Sequence, residues 1–204
     1  MNAMTAPCTP PSFSFSKRTD ALKASEIREI LKITEREEVI SFAGGLPAPE
    51  LFPVEELKQV SLQVLEESGQ KALQYSTTEG YEPLRRQIAQ RMQQKFRTSF
   101  QGDDILITSG SQQALDLLGK VFLDEDDVVL CESPTYLAAL SAFRAYRPRF
   151  IEVPTDEEGM VPEALEHILQ TTERIKFAYV IPDFQNPTGK TWSPSRRQAF
   201  MNLA

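Results

Sequence analysis

The sequence predicts an α/β fold in which a sheet rich in parallel strands is covered by helices and preceded by an N-terminal helical arm. From residue 104 onward, short apolar runs alternate with segments whose apolar residues recur every three or four positions, as in strands joined by helices. Before residue 104, the apolar spacing is helical and is interrupted by loops rich in Gly and Pro. A predicted sheet of four strands that stops within a helix is incomplete, so we expect the chain to be part of a larger domain.

The N-terminal region is predicted to contain an arm, a loop and three helices. Residues 1–40 form the arm and a helix over residues 25–33, where apolar residues share one face. In residues 41–103, a loop rich in Gly and Pro leads to a helix from Val54. The segment YSTTEGYEP interrupts the pattern, and a second helix follows it. We expect these segments to lead into the domain that contains the sheet.

Residues 104–204 contain the predicted sheet. Its strands are ILIT (105–108), VVLC (128–131), FIEV (150–153) and FAYVIP (177–182). The segment between the first two strands is expected to be a helix with one apolar face. That face comprises Ala114, Leu117, Leu118, Val121 and Phe122. The last helix is predicted to begin at the cap signal formed by Ser193 and Pro194.

Composition and charge exclude several classes of protein. The 204 residues carry 22 basic and 29 acidic side chains, a net charge of -7 that disfavours sequence-independent binding of nucleic acid. No apolar run approaches the roughly 20 residues that span a bilayer, and residues 1–16 lack the pattern of a secretory signal. Cys8 and Cys131 are interpreted as free thiols, and no Cys/His cluster suggests a metal site. We therefore expect a cytoplasmic protein.

A possible phosphate site follows the first predicted strand. Gly110 allows a ligand to approach the backbone, and the N–H groups of Ser111 and Gln112 lie at the start of a helix, which favours an anion. The Ser111 hydroxyl adds a donor. Taken alone, these residues are more often an ordinary serine cap at a helix start.

Two further strand ends carry residues suited to a ligand. Tyr136 follows the second strand, where its ring could stack on a planar ligand or pack into the core. Asn186 follows the fourth strand, where its carboxamide could donate a hydrogen bond or simply form a turn. Because ligands of such sheets bind at the carboxyl ends of the strands, Gly110, Tyr136 and Asn186 are expected to face one crevice.

Five motifs in this order resemble the fold-type I pyridoxal-phosphate aminotransferases, especially the subgroup that contains 2-aminoadipate and kynurenine aminotransferases. They are SFAGGLPAPELFP, LQYSTTEGYEPLR, SGSQQALDLLGKVFLDEDD, ESPTY and IPDFQNPTG. The resemblance implies the large domain of that fold, pyridoxal 5′-phosphate as cofactor, and transfer of an amino group from an amino acid to a 2-oxo acid such as 2-oxoglutarate. The amino donor would be acidic, aromatic, branched or similar to 2-aminoadipate.

The resemblance also implies roles for residues that bind the cofactor. Gly110, Ser111 and Gln112 match the segment that binds the cofactor phosphate. Tyr136 matches the aromatic residue stacked on the pyridine ring, and Asn186 matches the asparagine bonded to the phenolic oxygen of the ring.

Other matched residues point to the substrate and to a partner subunit. Gly45 matches a glycine beside the substrate carboxylate, and Arg28 matches an arginine that in some members recognises an acidic or bulky side chain. Asn186 is also assigned to substrate binding. Tyr75 matches the tyrosine that reaches the phosphate of the neighbouring subunit, which implies a homodimer.

The chain departs from the family in the catalytic residues. It has no match to the lysine that forms a Schiff base with the cofactor, to the acidic partner of the pyridine nitrogen, or to the arginine that binds the substrate carboxylate. Lys190 does not occupy the lysine motif, and Lys120 is interpreted as solvated. We therefore expect a fragment, a truncated product or one piece of a split protein that is inactive alone. Alternatives are an aminotransferase-like sensor domain of a transcription regulator, a non-catalytic fragment, or a lyase or decarboxylase on the same fold.

Overall fold

The computed structural model describes residues 13–21, 38–40, 45 and 47–204. The chain divides into two compact units, one formed by Met1–Lys23 with Gly110–Ala204 and the other by Ala24–Ser109. The helix predicted over residues 25–33, and Arg28 within it, lie outside the described residues.

The described part of the unit Ala24–Ser109 is helical, as the apolar spacing predicts. Helix α1 spans Val54–Ala72 and helix α2 spans Glu82–Phe96. The buried Arg85 joins α2 to the loop that follows it, since its guanidinium donates to the Gly102 carbonyl oxygen over 3.1 Å. Short 3-10 helices occupy Pro49–Leu51 and Gly102–Asp104.

The prediction of a strand over ILIT (105–108) is wrong. The backbone is extended at Ile105, with φ −111° and ψ 125°, but the segment belongs to no sheet. The Ile107 N–H donates instead to the Glu79 carbonyl oxygen over 3.0 Å. A strand needs a neighbour that pairs along its length, and the described residues of this helical unit contain none.

The described residues of the second unit contain a four-stranded sheet. Its strands are β1 (Val128–Ser133), β2 (Arg149–Asp156), β3 (Gly159–Met160) and β4 (Ile175–Tyr179). Their order is β3-β2-β1-β4, in which β1 is parallel to both β2 and β4 and β3 is antiparallel to β2. The three remaining predicted strands and the parallel-rich sheet are therefore confirmed. The two-residue strand β3 is too short for alternation of apolar residues to indicate it.

Helices cover this sheet: one precedes β1, and the other three follow β1, β3 and β4. They are α3 (Ser111–Phe122), α4 (Leu137–Arg144), α5 (Pro162–Thr171) and α6 (Pro194–Leu203). The predicted cap of α6 is confirmed, because the Ser193 hydroxyl accepts a hydrogen bond from the Arg196 N–H over 3.2 Å. None of the described helices combines the length and apolarity needed to cross a bilayer.

The apolar face predicted for α3 is only partly buried in this chain. Leu115 and Gly119 are the buried residues of the helix, whereas Leu118, Val121 and Phe122 are exposed. Gly119 is buried because its missing side chain leaves room for two aromatic rings, one in α4 and one just after it. A Cβ atom there would lie 2.6 Å from the Tyr146 ring and 3.3 Å from the Phe143 ring.

Two apolar clusters lie on the opposite faces of the sheet. Successive residues of a strand point to opposite faces, so β1 contributes Val129 to one cluster and Val128 and Leu130 to the other. In the first cluster, Phe143 from α4 meets the edges of the Phe177 and Tyr179 rings, with centroids 5.2 and 6.0 Å apart. Coverage of both faces explains why residues 128–131 of β1 are an unbroken apolar run in the sequence.

Candidate functional site

Helix α3 begins at Gly110 in a conformation that favours glycine. Gly110 has φ 81° and ψ 172°, and a Cβ atom built on it would meet no atom within 4 Å. Ser111 and Gln112, in the first turn, are exposed. The start of α3 is therefore open to a ligand, and a helix start of this kind attracts anions.

The Gln112 side chain joins this helix start to the next one. Its Nε2 atom donates to the Ala138 carbonyl oxygen, in the first turn of α4, over 3.1 Å. Gln112 thus has a structural contact through its side chain in addition to the backbone role that the sequence suggests.

Tyr136 is the residue immediately before α4 and is half-buried. It packs against the cluster that contains Phe143, so one part of its ring belongs to the core. Burial, with smaller contributions from Tyr136 and Glu132, raises the pKa of the neighbouring Tyr179 phenol. Tyr136 and Tyr179 both pack against this cluster, beside the carboxyl ends of β1 and β4.

The turn that carries Asn186 is held against the turn that carries Tyr136. Gln185 is buried, and its Nε2 atom donates to the Pro134 carbonyl oxygen over 2.8 Å. Its Oε1 atom accepts hydrogen bonds from the Thr188 N–H over 2.9 Å and from the Thr188 hydroxyl over 2.7 Å. Asn186 itself is exposed.

A buried carboxylate at the end of β1 fixes the same loop at two further points. Glu132 accepts a hydrogen bond from the Ile181 N–H at Oε2 and one from the Trp192 indole nitrogen at Oε1, each over 2.9 Å. Sequence reasoning missed both Glu132 and Gln185. The available signal was a charged or polar residue directly beside an apolar strand or a turn motif.

The hydroxyl of Thr135, between Pro134 and Tyr136, is buried and has no hydrogen-bond partner among the residues that the structure describes. Buried hydroxyl groups in native proteins are nearly always paired. The open start of α3 and the exposed Asn186 are polar groups that fit an oxygen-rich ligand at this edge of the sheet.

The hydrogen bonds of Gln112 and Gln185 both end on the segment 134–138. They bring the start of α3, the Tyr136 turn and the Asn186 turn to one edge of the sheet. Tyr75 and Gly45 belong to the other unit, where Tyr75 is fully exposed and Gly45 has open space around it.

The lysine nearest in sequence to the Asn186 turn is already paired. Lys190 Nζ lies 2.8 Å from Glu157 Oε1 and 3.3 Å from the Asp156 carbonyl oxygen. Its ammonium group is therefore stabilised as an ion pair. Lys120, on α3, is exposed.

The family model described as aminotransferase class I and II matches residues 21–204. The 2-aminoadipate transaminase of Thermus thermophilus is 52% identical over 188 residues, which cover 92% of this chain and 46% of that protein. Aromatic-amino-acid aminotransferase 1 of Thermococcus litoralis is 49% identical over 194 residues, covering 93% and 46%.

A solved structure shows the same fold. LysN, the α-aminoadipate aminotransferase of Thermus thermophilus complexed with N-(5′-phosphopyridoxyl)-L-leucine, superposes with a TM-score of 0.82 at 48% identity, covering 93% of this chain and 46% of that one. The chain spans about half the length of the relatives that it matches.

Proposed function

The chain belongs to the class I and II aminotransferase family, and on this premise we propose that the whole protein is a pyridoxal-phosphate-dependent aminotransferase. One observation carries the proposal: two hydrogen bonds, from Gln112 and from Gln185, gather an open helix start, a tyrosine and an asparagine at one edge of the sheet. When bound, the cofactor supplies an electron sink for the reacting Cα atom of an amino acid.

The polar groups at this edge fit the parts of the cofactor. The backbone N–H groups at Gly110, Ser111 and Gln112 bind its phosphate, because a helix start favours an anion. The exposed side of the Tyr136 ring stacks on the pyridine ring. The Asn186 carboxamide donates to the phenolic oxygen of that ring and contributes to the substrate site.

Residues of the other unit are proposed to act on the substrate and on a second subunit. Gly45 and Arg28 bind the substrate carboxylate and side chain. The complete exposure of Tyr75 is consistent with a role toward the cofactor phosphate of a partner subunit in a homodimer. We propose a cytoplasmic enzyme whose amino donor is 2-aminoadipate-like, acidic, aromatic or branched and whose acceptor is a 2-oxo acid such as 2-oxoglutarate.

The isolated chain is proposed to be inactive and to hold the cofactor without a covalent bond. Lys190 is the lysine closest to the Asn186 turn in sequence, and its amine is already engaged by the Glu157 carboxylate 2.8 Å away. Borohydride reduction of the chain mixed with pyridoxal 5′-phosphate, followed by mass analysis, is expected to give no adduct on one specific lysine. A single modified lysine contradicts this part of the proposal.

Cofactor binding is tested through Trp192, the single tryptophan of the chain. Pyridoxal 5′-phosphate is expected to quench its fluorescence saturably, whereas pyridoxal without phosphate is expected to bind much more weakly. The variants Gly110→Val and Tyr136→Ala are expected to weaken the quenching. Equal and non-saturable quenching in all four cases contradicts the proposed site.

Activity is tested on the whole protein with a panel of amino donors and 2-oxoglutarate. Formation of glutamate with one class of donor supports the proposal and assigns the substrate. The sensor-domain alternative predicts instead tight binding to duplex DNA that weakens steeply with salt.

A further inference from the structure

We propose that Gln185 is a positioning residue, which holds the Asn186 carboxamide at a fixed place relative to the Tyr136 ring. This inference rests on the proposed function and adds to it a residue for which no cofactor or substrate role has been assigned. Gln185 does not contact the ligand in this proposal; it acts through its neighbour.

The contrast in burial along the turn is the first argument. Gln185 is 4% exposed, whereas Asn186 and Thr188 beside it are exposed. A glutamine is rarely buried unless its amide is hydrogen-bonded. The turn therefore directs one polar side chain inward as an anchor and leaves the next free for a ligand.

The partners of Gln185 are the second argument. Its donor atom reaches the Pro134 carbonyl oxygen, 51 residues away in the chain and two residues before Tyr136. Its acceptor atom closes the turn around Asn186 through Thr188. One side chain thus shapes the Asn186 turn and fastens it to the Tyr136 turn.

The required precision is the third argument. Groups that bind and orient a reacting ligand must be held within about 0.5 Å of the productive position, by side chains that are themselves fixed. An exposed asparagine in a loop does not meet that condition by itself. The buried Gln185 fixes the position of the turn, through contacts with backbone atoms that exist whether or not a ligand is bound.

Substitution of Gln185 separates its two contacts. Gln185→Glu keeps an oxygen that can accept from Thr188 and removes the donor to Pro134. Gln185→Met keeps the length of the side chain without adding a buried charge. It serves as the test variant if Gln185→Glu fails to fold. Gln198→Glu makes the same chemical change on the exposed face of α6 and is the matched control.

The readout is the dissociation constant for pyridoxal 5′-phosphate, measured by equilibrium dialysis on the 204-residue chain. We expect it to rise about tenfold in Gln185→Glu, which loses one of the three hydrogen bonds, at least as much in Gln185→Met, which loses all three, and less than about twofold in Gln198→Glu. In an Asn186→Ala background, the Gln185 substitution should add little further, because it acts through the side chain already removed.

The outcomes distinguish this inference from the proposed function. If the wild-type chain shows no saturable binding, the cofactor site is wrong and the inference falls with it. If the wild type binds but the Gln185 variants bind equally well, or lose affinity to the same extent with and without Asn186, only the inference is overturned. Failure of both Gln185 variants to fold marks Gln185 as a purely structural residue and also overturns it.

Discussion

The indole nitrogen of Trp192 donates a hydrogen bond to Glu132 Oε1 over 2.9 Å, although 60 residues separate the two in the chain. Both side chains are buried, and the second carboxylate oxygen accepts from the Ile181 N–H. A single carboxylate at the end of β1 therefore holds both ends of the loop that carries Asn186.

Replacing Glu132 by Gln is expected to destabilise the chain by about 1.5–3 kcal/mol, the range for hydrogen bonds to charged groups. A carboxamide has one oxygen, so one of the two N–H donors would face an NH₂ group. Urea unfolding followed by Trp192 fluorescence measures the loss, and the native emission is expected to shift toward longer wavelength. Glu166→Gln, on the exposed face of α5, is the control. Equal stability of the two variants would show that the Glu132 contacts contribute nothing.

Gly119→Ala is expected to destabilise the chain by up to about 2 kcal/mol. Alanine favours a helix by about 1 kcal/mol over glycine, but overpacking a filled interface costs about 1–3 kcal/mol. The new Cβ atom would lie 2.6 Å from the Tyr146 ring, which is held by a 2.9 Å hydrogen bond from its hydroxyl to Asp116. Thermal unfolding monitored by circular dichroism measures the change.

Gly69→Ala is the matched control for this helix substitution. Gly69 lies in α1, and a Cβ atom built on it meets nothing within 4 Å. Its substitution is expected to leave stability unchanged or to raise it. A stabilised Gly119→Ala would mean that the Tyr146 ring moves aside easily and that glycine is not needed at this contact.

The sheet was predictable because its signal is local. The run VVLC is apolar at each position, which indicates a strand covered on both faces, and β1 has this environment. The run ILIT has the same kind of composition but no pairing strand among the described residues of its unit, and composition does not reveal a neighbour. The burial of Gly119 was missed for a related reason, because the bulk of Tyr146 opposite it cannot be known from the spacing of apolar residues within α3.

The candidate site likewise has residues whose placement the sequence predicts and residues that it does not reveal. The placement of Tyr136 and Asn186 at one edge follows from a general property of parallel strands, whose carboxyl ends meet at the same side of a sheet. Glu132 and Gln185 act through partners 49 to 60 residues away. Nothing in the order of residues along the chain specifies such pairs, so only the folded structure identifies them.

Cys131 is expected to resist alkylation in the folded chain. Burial, with smaller contributions from Glu152 and Glu132, raises the pKa of its thiol to about 11. At pH 8 about one thiol in a thousand is then ionised, and only the thiolate reacts. Iodoacetamide treatment followed by peptide mass analysis should find Cys131 unmodified in the native chain and modified in urea. Rapid labelling without urea would contradict both its burial and its raised pKa.

Asp127 is a buried carboxylate in a basic environment at the start of β1. Its Oδ2 atom accepts the Asp124 N–H over 2.8 Å, and its Oδ1 atom accepts the Arg174 guanidinium over 2.8 Å. Lys176 Nζ lies 3.5 Å from Asp127 Oδ2. The Asp124 hydrogen bond, followed by Arg174 and Lys176, holds the pKa of Asp127 below its usual value although burial opposes the shift.

Because the pKa of Asp127 is lower in the folded than in the unfolded chain, the folded state loses stability as the pH falls. The contribution of Asp127 is complete above the unfolded value of about 3.9 and is lost as the pH falls through the lower folded value. Asp127→Asn is therefore expected to be less stable than the wild type at pH 7, with a gap in the free energy of unfolding that narrows below about pH 4. Urea titrations between pH 7 and about pH 2.5 measure the gap, and Asp20→Asn, at an exposed carboxylate, matches the change in net charge. A gap that stays constant across this range, or one that Asp20→Asn reproduces, would show that the ionised Asp127 carboxylate does not stabilise the fold.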